Sequence, residues 1–275
     1  MSKKTQEIAV LDEQALAELK DAFPVESGGF TRIQLPRIAY DAQDVMEGEG
    51  KNKKVVLEAG TFSLNKETVE TDKEGKKIWG KEEIGKEIEG IILYYRYQLS
   101  LYDEATELYT SSSVFDSQDE IIPLWSDKKQ IAKGTPAELK ALYQFVDSKD
   151  GKTKSKLKDN RILYILYKDE LHQLDLHGSS MYSFMKYAKS VTPPAVLTHF
   201  SSELQTKGKI EWNMMTFKVL RSVTPEELKD NLQKVKEIQA AIAMEKGVQV
   251  SNTVRYTEAQ EAEFERLAAK AEKDM

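Results

Sequence analysis

The chain contains no cysteine, which excludes disulfides, thiolate metal sites and cysteine nucleophiles. Histidine is almost as scarce. Three occur in 275 residues, His172, His177 and His199, leaving little material for a zinc site or a Ser-His-Asp triad. No apolar run approaches the ~18 residues of a membrane span, and Met1-Ser2-Lys3-Lys4 leads into a charged segment with no apolar signal core. An excess of positive charge is missing too: 40 basic residues stand against 46 acidic ones, for a net charge of −6. Any nucleic-acid role must then come from a local basic surface. With 40% hydrophobic and 31% charged residues, the expectation is a soluble, cytoplasmic protein long enough to bury a substantial core.

What is present alternates between strand-like and helix-like patterning. Residues 7–22 place Ile8, Leu11, Ala15, Leu16 and Leu19 at helical spacing before Pro24 and Gly28-Gly29, which predicts an N-terminal helical arm over 1–27. Residues 30–40 alternate like a strand, and Pro36 puts that strand at an edge or interrupts it. Residues 41–88 read as short strands on charged loops, with a turn at Asp72–Gly75. The clearest strand is 91–102. Its alternation sets Ile91, Leu93, Tyr95, Tyr97, Leu99 and Leu101 on a core face, and Ile92, Tyr94, Arg96, Gln98, Ser100 and Tyr102 on the other. Residues 108–115 return as its hairpin partner. Thr135-Pro136-Ala137-Glu138 is a capping-box start for a helix to about Val146.

Strands at 161–167 and 171–176 follow, then a helix from Gly178-Ser179-Ser180 to about Lys189, stopped by Pro193-Pro194. Further strands fit 195–204 and 210–220, and Thr224-Pro225-Glu226-Glu227 caps a helix to Lys246. The tail from Thr257 to Met275 is helix-prone and net acidic. The predicted fold class is α+β. A mainly antiparallel β core over 28–222, compatible with an OB-like barrel, carries inserted helices, with C-terminal helices and a charged tail over 223–275.

Nothing in the chain specifies catalysis. There is no Walker loop, no G-x-S-x-G and no G-x-G-x-x-G. The carboxylates Asp116, Asp119 and Glu120 lack calcium-loop spacing and fit a solvated turn. Asp119 with Glu138 and Lys140 fails as a nuclease set, because Glu138 and Lys140 fall in a helix where a strand is wanted. His172 and His177 have no third ligand nearby. No cofactor and no metal are expected.

Single-strand binding needs cations for phosphates and aromatic faces for bases. Tyr94, Arg96 and Tyr102 supply the second on one strand face, unless those tyrosines cover a helix or a second sheet. A run of basic residues, Lys149, Lys152, Lys154, Lys156, Lys158 and Arg161, opposed by Asp150 and Asp159, supplies the first; charge runs are also commonly just solvated. Arg32 and Arg37, with Lys51, Lys53 and Lys54, extend the surface. Trp125 and Trp212 read as core, and Trp79 less so. The Gly178-Ser179-Ser180 start offers a phosphate site at a helix N-terminus or simple serine capping.

Together, the 30–40 segment with Leu35-Pro36-Arg37-Ile38, the strand from Glu89-Gly90, the strand-pair and Gly-Ser-Ser helix unit at 161–189, and the strand at 212–219 resemble the single-stranded DNA-binding proteins of bacteriophages and mobile elements. The resemblance covers about residues 28–225. It implies an OB-fold that coats single-stranded DNA in replication or recombination, with an acidic C-terminal tail that recruits replication or recombination proteins. The tail here mixes in basic residues and ends in Met275 without a terminal aromatic. The alternative is a phage structural or accessory interaction protein whose helical ends form a homo-oligomer.

Overall fold

The computed structural model describes residues 35–47, 54–71, 77–103, 106–148 and 150–245, with side chains at 47, 66–71, 77–79 and 244–245 excepted. The N-terminal arm, the turn at 72–75 and the tail lie outside these residues. In chain order the strands before the first helix are β1 Arg37–Asp41, β2 Val45–Glu47, β3 Lys54–Leu57, β4 Thr61–Thr71, β5 Lys77–Gly85, β6 Ile88–Asp103, β7 Leu108–Ser112, β8 Ile122–Ser126 and β9 Lys129–Gly134. Then come α1 Pro136–Leu142, β10 Gln144–Val146, β11 Thr153–Ser155, β12 Lys158–Tyr167, β13 Glu170–Leu176, α2 Gly178–Ala188, β14 Val196–Lys207, β15 Ile210–Ser222 and α3 Pro225–Glu245.

Eleven strands share one sheet, in the order β5-β4-β1-β13-β12-β6-β7-β8-β9, with β14 joined to β6 and β15 to β14. All pairs are antiparallel except β1 with β13. Among the described residues no ladder joins β5 to β9, so the path does not close into a barrel. Mainly β with a few helices is therefore the observed class. Among the described residues no helix is long and apolar enough to cross a membrane.

The 16-residue β6 organises the sheet. Along one edge it pairs with β12 from Ile91 to Ser100. Along the other it pairs with β14 at Ile88–Gly90, bridges to Phe115 at Tyr97, and pairs with β7 from Ser100 onward. Its Ile- and Tyr-rich composition suits a strand buried on both faces. Pro36 immediately precedes β1 and accepts a hydrogen bond from the Gln173 amide through its carbonyl. The strand it introduces lies inside the sheet between β4 and β13, not at an edge.

Two faces are covered. On one, α2 lays Met181, Phe184 and Tyr187 over Leu163, Ile165, Leu174, Leu176, Phe200 and Phe217. On the same face α1 places Leu139 with Leu99, Phe115, Ile122 and Leu124. On the opposite face α3 places Val235, Ile238, Ala241 and Ile242 against Ile91, Leu93, Ile162 and Tyr164.

The strict alternation expected along β6 does not hold. Between Ile92 and Tyr94 the ladder with β12 slips by one residue, since Tyr94 faces Tyr164 while Ile92 faces Ile165. A bulge places an extra residue in the strand and exchanges the faces beyond it. Ile91 and Leu93 therefore lie under α3 with Tyr94, while Ile92 joins Tyr95 under α2. The helix expected to reach Val146 also stops early. It ends at Leu142 because residues 144–146 pair with 153–155 as a small hairpin.

Candidate nucleic-acid interface

Beyond the bulge, alternation places Tyr94, Arg96, Gln98, Ser100 and Tyr102 on the α3 side of the sheet. They meet different fates. Tyr94 packs into the α3 cluster, and burial pushes its hydroxyl pKa up. Arg96 is 2% exposed. Its Nε donates to Asp116 Oδ1 at 3.0 Å and its Nη2 to the Val114 carbonyl at 3.3 Å. Neither side chain faces solvent as a base platform would: the helix and the 113–121 loop have taken their exposed surface. The same ion pair accounts for Asp116, while Glu120 accepts from the Asp116 and Ser117 amides, so these carboxylates build a local turn.

Tyr102 is different. It is 57% exposed, and its directly opposite partner Tyr109 on β7 is 52% exposed. Residues opposite each other in an antiparallel ladder share a face with Cβ atoms about 5 Å apart, so this is an open aromatic pair. Trp125 on β8, paired with Ser111, follows on the same face, half-buried rather than core. Tyr109 and Trp125 were not legible as partners of Tyr102, because only the ladder register puts them beside it.

From residue 150 to 161 the basic run forms part of a hairpin and the start of β12. Lys149 lies outside the described residues. Lys152 and Lys154 sit on the β10–β11 hairpin, where Lys154 faces Phe145 across the ladder. Lys154 Nζ is held by Asp147 at 2.5 Å and Asp150 at 2.9 Å, and those carboxylates raise its pKa. Lys152 and Lys156 are exposed. Lys158 is exposed as well; it starts β12 opposite Ser100, two residues from Tyr102, and donates to the Ser155 carbonyl at 3.1 Å. Arg161 points to the other face, with its guanidinium carbon 4.0 Å from the centre of the Tyr97 ring. Arg37 pairs with Asp175 at 3.0 Å. Arg32, Lys51 and Lys53 lie outside the described residues, as does the Trp79 side chain, and Lys54 is exposed.

What the structure brings together is the aromatic row Tyr102, Tyr109 and Trp125, with Lys158 beside it and the lysine hairpin leading into that strand. What it separates from them is Tyr94, Arg96, Arg37 and Arg161. His177 Nδ1 is bonded to Asn160 Oδ1 at 2.8 Å, and burial lowers its pKa. Among the described residues no cluster of three or more acidic or histidine side chains could hold a metal ion. No family model matches the chain, and neither does any curated protein or solved structure.

Proposed function

We propose that the chain binds single-stranded DNA without catalysis, coating or protecting it during replication or recombination of a phage-like element. The observation that carries this is the open Tyr102–Tyr109 pair beside a lysine-bearing hairpin. Bases stack on exposed aromatic faces at ~1–3 kcal/mol each regardless of sequence. Lysines at 152, 156 and 158 supply phosphate contacts whose counterion release drives non-specific affinity. The OB-type interpretation of the core belongs to the same proposal. Its support is β6, one long strand shared between β12 on one edge and β14 and β7 on the other, as a partly open barrel requires. Recruitment of replication proteins by the acidic tail and self-association are part of the proposal as well.

A second function competes. Ile121, just before β8, and Ile131, on β9, are exposed, and such apolar surface also suits a protein partner.

The test is fluorescence anisotropy of labelled oligo-thymidine at two salt concentrations, competed with unlabelled duplex. Binding is expected to fall steeply with salt and to resist duplex competition. Tyr102→Ala and Tyr109→Ala should each weaken it roughly 5- to 150-fold. Absent binding at low salt, or full affinity in both variants, would favour the protein-partner alternative.

A further inference from the structure

Four arginines lie among the described residues, and three have carboxylate partners: Arg37 with Asp175, Arg96 with Asp116, and Arg221 with Glu227. Arg161 has none among those residues. It is 8% exposed, its Nε is buried without a hydrogen-bond partner, and its Nη1 donates only to the Asn160 carbonyl at 3.0 Å. Asp159, two residues earlier on the same face, is taken by Lys140 at 2.6 Å. Beneath the guanidinium lies Tyr97, whose ring is itself stacked on Phe115 at 5.5 Å. A buried cation left with open donors costs stability, and an orphaned buried polar atom demands an explanation.

The surroundings add a second positive element. Leu176, the ladder partner of Arg161, lies two residues before Gly178, where α2 begins. This N-terminus has no side-chain cap and no acidic residue in its first turn. Through Met181 and Phe184, α2 packs on Leu163 and Leu176, the face that Arg161 shares. Arg161 and the start of α2 thus lie at the same end of the β12–β13 pair, and each favours an oxyanion placed there.

We propose that Arg161, backed by Tyr97 and the amino end of α2, is a receptor for a phosphate oxyanion. Its planar guanidinium offers Nη2, which has no described hydrogen-bond partner, to a phosphate oxygen, with the unpartnered Nε buried beside it. The ligand is either a phosphodiester of a bound strand or a phosphate group of a free small molecule. The site stands on its own geometry, on the opposite face from Tyr102 and Tyr109.

The experiment measures thermal midpoints and calorimetric binding with inorganic pyrophosphate as the probe, on the full chain, with Arg161→Met and Arg161→Lys. Near-UV circular dichroism verifies that each variant folds. Wild type should gain stability with pyrophosphate. Arg161→Met should have a raised midpoint without ligand, because an uncompensated buried charge is replaced by an apolar chain, and at least tenfold weaker pyrophosphate binding. Arg161→Lys, which keeps charge but loses the fork, should also bind at least tenfold more weakly. Displacement of pyrophosphate by oligo-thymidine assigns the site to strand phosphates, and binding without displacement assigns it to a free phosphate compound. If the oligomer never binds but pyrophosphate does, the strand-binding function fails and the site survives. No response to pyrophosphate in wild type, or an equal response in Arg161→Met, overturns the proposal.

Discussion

A missing Cβ decides the packing at Gly90, where β14 joins β6. A Cβ built there would lie 2.9 Å from both Ile165 Cγ2 and the Leu166 carbonyl oxygen. The isoleucine could shift, but the carbonyl belongs to the β12 ladder and cannot move without loosening it. Gly90→Ala is expected to cost about 1–3 kcal/mol by overpacking, seen as a lower urea midpoint with an unchanged slope. A wild-type midpoint would mean the β6–β12 contact is looser than its geometry. Residue identity alone could not separate Arg96 from Arg161, since both occupy strand positions among tyrosines. Their fates differ because Asp116 reaches Arg96 from a loop folded back over 18–20 residues of chain, whereas no described carboxylate reaches Arg161.

Helix starts were the most legible elements, because their chemistry is local. Thr135 accepts from the Glu138 amide while Glu138 Oε2 accepts from the Thr135 amide at 2.8 Å, closing a capping box at α1. The same reciprocal pair forms at α3 between Thr224 and Glu227. There Arg221 adds two charged hydrogen bonds, at 2.7 and 2.8 Å. The Arg221 guanidinium and the Thr224 amide together hold the Glu227 carboxyl down to about 2. A depressed carboxylate contributes stability that is complete above its unfolded pKa and lost as pH falls through the folded one. The loss should therefore run from about pH 4.5 down to about 2. Glu227 is partly exposed, so solvent screening keeps the energy well below what the shift alone suggests. Glu227→Gln is expected to lower the thermal midpoint near neutral pH and to flatten its decline over that window. Parallel acid limbs in the two proteins would show that the box adds nothing. Strand phase was less legible: the β6 bulge is a property of the β6–β12 pair, and no single-strand pattern contains it.

At the scale of the molecule, the sheet is held by pairings between distant parts of the chain. Arg37 and Ile38 of β1 pair with Gln173 and Leu174 of β13, and α3 returns from beyond β15 to cover Ile91 and Ile162. With such non-local contacts, little of the structure is stable until most of it is assembled. The apolar seal made by Val235, Ile238 and Ile242 ties α3 to the sheet. Differential scanning calorimetry is expected to show one transition that includes α3, and Ile238→Ala should lower it by an amount equivalent to about 2–5 kcal/mol. A separate early transition assignable to the helix would show that α3 docks as an independent unit.

The sequence by itself determined what depends on neighbours a few residues apart. It specified the capped helix starts at Thr135 and Thr224, the strand runs of 91–102, 161–167 and 171–176, and a mainly β architecture with inserted helices. Solvent exposure was decided only by the tertiary structure. Tyr94 and Tyr102 lie on the same face of one strand, yet α3 covers the first and nothing described covers the second. Tyr109 and Trp125 become partners of Tyr102 only through the register of β6, β7 and β8. Arg161 is left without a carboxylate because the nearby Asp159 is claimed by Lys140 on a helix 19 residues away. Each of these outcomes is a competition for contacts among segments distant in sequence. Local preference cannot rank such contacts, because their energies exist only once the segments meet.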